Sequence, residues 1–229
     1  MRVKCENALF VLPVSPGLRL THLTLPGRHS VTDGGLAFLS RLWLLSELDL
    51  TDYTHVTDRG VAHLGKMTRL KKLSLSNTLV SDEGLLALRS LQELVELCLD
   101  RTAVSSRGVA ACITHLPDLQ VLGLASTQVG DTVIRRGLLH CPQLLKVNLS
   151  RTRITDRGLK FLRQMRLSQV NLDGTGVTLS AISSYVSSCP HVASVRASQT
   201  QAVPPEQVSD DDDEDNGGGG GGRGDTLGH

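Results

Sequence analysis

Aromatic side chains are scarce: one tryptophan, two tyrosines and three phenylalanines in 229 residues. Any core built from this chain must therefore be aliphatic, with leucine as its main supply. Long apolar runs are missing too. No stretch reaches the roughly 18 apolar residues that a membrane-spanning helix needs. The run from Ala8 to Leu12 is shorter than a signal-peptide core, and no clear small-x-small cleavage site follows it. A charge surplus is also lacking, with 24 Lys+Arg against 23 Asp+Glu and a net charge of +1. A general nucleic-acid binder would show a basic excess, so neither nucleic acid nor membrane is expected as a partner.

Cysteine is present but unpatterned. The five residues, Cys5, Cys98, Cys112, Cys141 and Cys189, are odd in number and widely spaced, with no C-x-x-C pair. This usage suits reduced thiols, and a cytoplasmic or nuclear location is the expectation. Cys112 with His115 and His140 with Cys141 are the pairs that invite a metal. Cys141 and Cys189 align with the apolar Leu116, however, which makes them packing positions. Catalytic signatures are absent as well: no nucleophile elbow, P-loop, zinc-protease helix or dinucleotide-binding fingerprint. Neither an enzyme, nor a cofactor, nor a bound metal, nor a small-molecule substrate is expected.

What the chain does have is repetition. The string LxxLxL begins at positions 20, 45, 70, 94, 119, 144 and 167, with a degenerate copy at Val192. A threonine column follows it: Thr54, Thr78, Thr102, Thr127, Thr152, Thr175 and Thr200. A third column is the block VTDGGL, VTDRGV, VSDEGL, VSSRGV, VGDTVI, ITDRGL and VTLSAI. The end of LxxLxL has strand periodicity, so Leu97 and Leu99 point one way and Cys98 the other. The return path between strings is long enough for a parallel crossover. Thr32, Thr57, Ser81, Ser105, Thr155 and Thr178 can cap the helix that opens it, Gly130 being the exception. Asp33, Asp58, Asp82, Asp131 and Asp156 then fall in the first turn, where the helix dipole favours them. The glycines Gly35, Gly60, Gly84, Gly108 and Gly158 read as close-packing positions between helices. The threonines read as partners for backbone groups in the turn leaving the strand.

This pattern, LxxLxLxxTxVTDxGLxxL, resembles the cysteine-containing subclass of leucine-rich repeats. That subclass occurs in F-box/leucine-rich-repeat substrate receptors and antagonist-of-mitotic-exit-type proteins. The Cys-Pro pairs at 141–142 and 189–190 look like its CPxL element. The resemblance covers residues 18–200. It implies an α/β leucine-rich-repeat solenoid of seven repeats plus a terminal strand, with a concave parallel sheet inside and helices outside. It also implies non-catalytic protein recognition, with a ubiquitin-ligase substrate receptor as the alternative. No F-box is recognisable, and threonine stands where the subclass often has cysteine or asparagine.

Three segments follow: a flank or partial cap at 1–17, the repeat domain at 18–200, and a tail at 201–229. The tail carries six consecutive acids, Asp210 to Asp215, then six glycines. It lacks the apolar side chains needed to offset ordering entropy, and disorder is expected. Ser209, followed directly by the acids, resembles a substrate of a casein kinase 2 type enzyme. Within the array, side chains beside the inward leucines should line the concave face and bind a protein partner: Glu47, Asp49, Lys72, Glu96, Arg101, Lys146, Asn148 and Arg151.

Overall fold

The computed structural model describes residues 2–4, 22–25 and 31–200. Each LxxLxL string yields a three-residue strand centred on its middle apolar position. The strands are β1 (Arg2–Lys4), β2 (His22–Thr24), β3 (Glu47–Asp49), β4 (Lys72–Ser74), β5 (Glu96–Cys98), β6 (Val121–Gly123), β7 (Lys146–Asn148), β8 (Gln169–Asn171) and β9 (Ser194–Arg196). They form one parallel sheet in sequential order. β1 lies in the flank, where no repeat string announces it, and pairs in register with β2, Arg2 opposite His22.

Helices occupy the return paths: α1 (Asp33–Leu39), α2 (Asp58–Leu64), α3 (Asp82–Leu88), α4 (Ser106–Ile113), α5 (Asp131–Arg136), α6 (Asp156–Leu162) and α7 (Leu179–Ser188). Six to ten residues is too short for a helix to persist alone in water. Packing holds these helices. Leu94, Leu97 and Leu99 of one string are fully buried, as are Leu85 and Leu88 of the preceding helix, and the same columns repeat along one continuous core. No repeat could bury these faces alone, so stability is close to a nearest-neighbour sum.

The turns leaving β3 to β9 share one design. A residue with positive φ follows the string: Asp52 (66°), Asn77 (56°), Arg101 (57°), Ser126 (56°), Arg151 (54°) and Gln199 (56°), with Gly174 at 68°. Its N–H reaches the next repeat, as from Arg101 to the Ala125 carbonyl at 2.8 Å. Threonine then closes the turn. Thr78, Thr102 and Thr127 each donate their hydroxyl to the carbonyl of the last leucine of their own string at 2.6 Å. Thr175 does the same at 2.7 Å. These threonines are buried, so each hydroxyl satisfies a carbonyl that water cannot reach. Thr54 does not belong to the column. It is exposed, because this repeat carries one extra residue in the loop. Buried Tyr53 takes the position and donates its hydroxyl to the Leu25 carbonyl at 3.1 Å.

The aspartate column also has a larger role than the helix dipole. Each Asp reaches forward to the N-cap of the next repeat. Asp58 accepts from the Ser81 N–H at 2.7 Å and its hydroxyl at 2.6 Å. Asp33, Asp82, Asp131 and Asp156 hold Thr57, Ser105, Thr155 and Thr178 in the same way. The capping expected of Ser and Thr is present for five helices; Thr32 and Gly130 provide no side-chain cap. The glycine column follows from the clasp. A Cβ on Gly84 would lie 2.5 Å from the Asp58 carboxylate, and one on Gly158 would overlap that of Asp131.

Candidate functional site

The sheet has one face covered by helices and one left open. In β3 to β8 the middle residue is buried, in β9 it is half-buried, and the flanking two lie on the other side. Strand register aligns these into two rows. One runs Glu47, Lys72, Glu96, Val121, Lys146, Gln169, Ser194; the other runs Asp49, Ser74, Cys98, Gly123, Asn148, Asn171, Arg196. Glu47, Asp49, Lys72, Glu96, Lys146 and Asn148 therefore lie on the open face, as their spacing predicts.

Arg101 and Arg151 lie past the strand ends. Strand alternation cannot set their direction, because both sit at the positive-φ position of the turn. They are exposed on the edge where chains leave the strands. The open face also carries Asp100, a residue outside the two columns beside the inward leucines. Its Oδ1 accepts the Ala125 N–H at 2.7 Å and would lie 2.8 Å from a Cβ on Gly123. Glycine at 123 is thus the shelf on which the Asp100 carboxylate rests.

The electrostatics of the face are uneven. Lys72 pairs with Glu47 at 3.3 Å. Asp49 accepts the Thr51 N–H at 2.9 Å, and Asn148 accepts that of Ser150 at 3.2 Å, which fixes both side chains. Half-buried Cys98 stands among the carboxylates of Asp100, Glu96 and Asp49. Burial first, then these charges, push its thiol up to about 11. Burial likewise raises the Asp100 carboxyl, against the Ala125 N–H and the Arg101 charge. Beyond the neutral shelf of Val121 and Gly123, Lys146 begins a stretch of Asn148, Gln169 and Asn171. At the far end Asp173 accepts the Ser198 hydroxyl and N–H, each at 2.6 Å, and faces Arg196 at 3.4 Å; the Ser198 bonds first, then the Arg196 charge, hold its carboxyl below the usual range.

The remaining cysteines do not assemble a reactive centre. Cys112, Cys141 and Cys189 are buried. Burial raises their thiols, Cys112 to about 12 and Cys141 to about 11. Reactive thiols have lowered values instead. The Cys141 thiol lies 3.6 Å from the Ile113 and Gly137 carbonyls. Among the described residues there is no group of three or more His, Cys, Asp or Glu placed to hold a metal, and no helix is long and apolar enough to cross a membrane. Ser209 lies outside the described residues.

Known proteins resemble the chain chiefly in fold. A leucine-rich-repeat family model matches residues 140–162, which span β7 and α6. No match was found among curated proteins. An internalin (inlF) from Listeria monocytogenes superposes with a TM-score of 0.55 at 19% identity, over 77% of this chain and 54% of its own. Internalin C2 of the same organism gives 0.51 at 18% identity, over 74% of this chain and 85% of its own. A Bacteroides fragilis protein gives 0.55 at 16% identity, over 80% and 57%. The chain thus spans little more than half the length of two of these three. With nine strands in sequential parallel order and a helix in each return path of the described array, this chain has the fold of an α/β leucine-rich-repeat solenoid.

Proposed function

We propose that the chain is a non-catalytic protein-recognition module whose open sheet face carries the partner. One observation supports this above the others. Seven strands bring an in-register, largely polar surface to one face, acidic around Cys98 and positively charged at Lys146. Complementary charge fixes orientation and rejects wrong partners more than it adds affinity. The rows contain no aromatic residue, and interface hot spots favour Trp, Tyr and Arg. The partner is accordingly a protein held by polar contacts, with a basic group over Asp49, Glu96 and Asp100. The narrower role of ubiquitin-ligase substrate receptor, and a cytoplasmic or nuclear setting, rest on the sequence resemblance and on thiol usage.

Affinity capture with native and variant full-length chains tests the reading. Glu96→Lys with Lys146→Glu reverses both charged ends of the face. Arg135→Glu with Arg136→Glu makes a matching change on α5. A partner recovered by the native chain should be lost with the first pair and kept with the second. The opposite result assigns recognition to the helices.

A further inference from the structure

The near-neutral total charge hides two oppositely charged segments. Residues 201–229 hold eight acids and one base, a net −7. Residues 100–200 hold twelve bases and five acids, a net +7. Four of those five acids are already engaged: Asp100 by Ala125, Asp131 by Thr155, Asp156 by Thr178, and Asp173 by Ser198 and Arg196. Three of the bases are not matched in this way. The side chains of Arg107, Arg151 and Arg153 are exposed and form no ion pair with a described residue.

Position adds to charge. Arg151 occupies the positive-φ turn after β7, and Arg153 follows two residues later, its N–H on the Val129 carbonyl at 2.9 Å. Both lie on the strand-exit edge. Gln199 occupies the same turn position after β9. The chain therefore leaves the array on this edge, two strands from Arg151, or about 10 Å at 4.8 Å per strand. Residues 201–209 can span up to about 30 Å, so the acids reach Arg151 and Arg153 with chain to spare.

We propose that the acidic run Asp210–Asp215 docks on this chain's own arginine edge, centred on Arg151 and Arg153. The surface fits a polyanionic segment: guanidinium groups pair with carboxylates bidentately, and the neighbouring carboxylates are already satisfied. Tethering supplies an effective concentration of order millimolar, so even weak pairing fills the edge. The docked run excludes other anionic partners there and leaves the open face free. This proposal does not depend on the open-face reading.

The test uses the full chain and a fluorescein-labelled peptide of residues 206–217, followed by anisotropy. A second form of the chain has Asp210–Asp213 and Asp215 changed to Asn and Glu214 to Gln. The peptide should bind this neutralised chain about tenfold more tightly than the native one, because the tethered competitor is gone. Raising the salt from about 0.05 to 0.5 M should abolish binding, since exposed charges are then screened. Adding Arg151→Glu and Arg153→Glu to the neutralised chain should remove binding, and Arg151→Gln with Arg153→Gln should weaken it, with the thermal midpoints checked for each. Arg135→Glu with Arg136→Glu should leave it unchanged. Equal binding to native and neutralised chains would overturn the proposal by making the edge a site for a separate partner. So would no binding at all, or binding lost only with the Arg135 and Arg136 pair.

Discussion

Asp131 holds Thr155 of the next repeat by two bonds: Oδ1 accepts its N–H at 2.9 Å and Oδ2 its hydroxyl at 2.5 Å. The relation explains a third residue. Gly158 sits where any side chain would strike the Asp131 carboxylate. The array itself varies this rule. In repeat four the aspartate is replaced by Ser106, which accepts from the Gly130 N–H at 2.8 Å. The residue facing that shorter side chain is Val133, not glycine. Ala181 faces Asp156, and there the Thr178 hydroxyl stands farther off, at 2.9 Å.

The clasp and the glycine should therefore be energetically coupled. Gly158→Ala alone should destabilise the chain by about 1–3 kcal/mol through overpacking. Asp131→Ser alone should cost at least about 1.5 kcal/mol, the value of a hydrogen bond to a charged group. With Ser at 131 the carboxylate clash disappears and only the Ile134 Cδ1, 2.9 Å from the added Cβ, has to yield. Gly158→Ala should then cost markedly less than beside Asp131, with the better helix propensity of alanine, up to about 1 kcal/mol, in its favour. Urea unfolding of the four chains measures the cycle. Additive effects would show that the glycine serves something other than the aspartate.

Thr127 donates to the Leu124 carbonyl inside the core. Thr127→Val keeps the shape and leaves that carbonyl unsatisfied, at a cost of roughly 1–3 kcal/mol. Thr54→Val, at an exposed position outside the column, should stay within about ±0.5 kcal/mol. Equal denaturation midpoints for the two variants would refute the turn-closing role.

The difference between these threonines marks where the sequence stops being legible. Strand centres and helix faces follow from leucine columns, because burial imposes the period directly. A one-residue insertion at Thr54 breaks column counting, and only the fold shows that Tyr53 replaces the threonine. Asp58 reads as a local cap because its partner, Ser81, is 23 residues away. Arg101 and Arg151 mislead for another reason. Asp52 and Asn77 in the same column carry the usual signal for positive φ, but arginine does not announce it. Asp100 meets the open face because alternation continues one residue past buried Leu99, which puts it on the side of Glu96 and Cys98. β1 pairs through its backbone at a place where the side chains lack the repeat pattern.

Ser209 is expected to be a phosphorylation site, on the run of acids immediately after it. Incubating the full chain with a casein kinase 2 type enzyme should place phosphate on Ser209, read by peptide mass spectrometry. Phosphate adds up to about −2 of charge, so retention on an anion-exchange column should rise. A chain in which only other serines are modified ends the idea.

Cys98 offers a chemical reading of the open face itself. Its thiol is raised to about 11, by burial and then by Asp100, Glu96 and Asp49. The thiolate is the reactive form, so at neutral pH almost all of the residue is unreactive. The rate of iodoacetamide labelling at Cys98, followed by mass spectrometry, should climb about tenfold per pH unit from 7 to 10, without levelling near the ordinary cysteine value of about 8.5. Replacing Glu96 by Gln and Asp100 by Asn removes negative charge beside the sulfur. That lowers the pKa, increases the thiolate fraction and should speed labelling at fixed pH, while the buried Cys112 and Cys141 stay slow. A partner that lays a basic group over this patch should act in the same direction on the pKa, yet shield the sulfur from reagent. Labelling unaffected by the double replacement would mean that the carboxylates do not act on Cys98, and that the acidic character assigned to this part of the face is wrong.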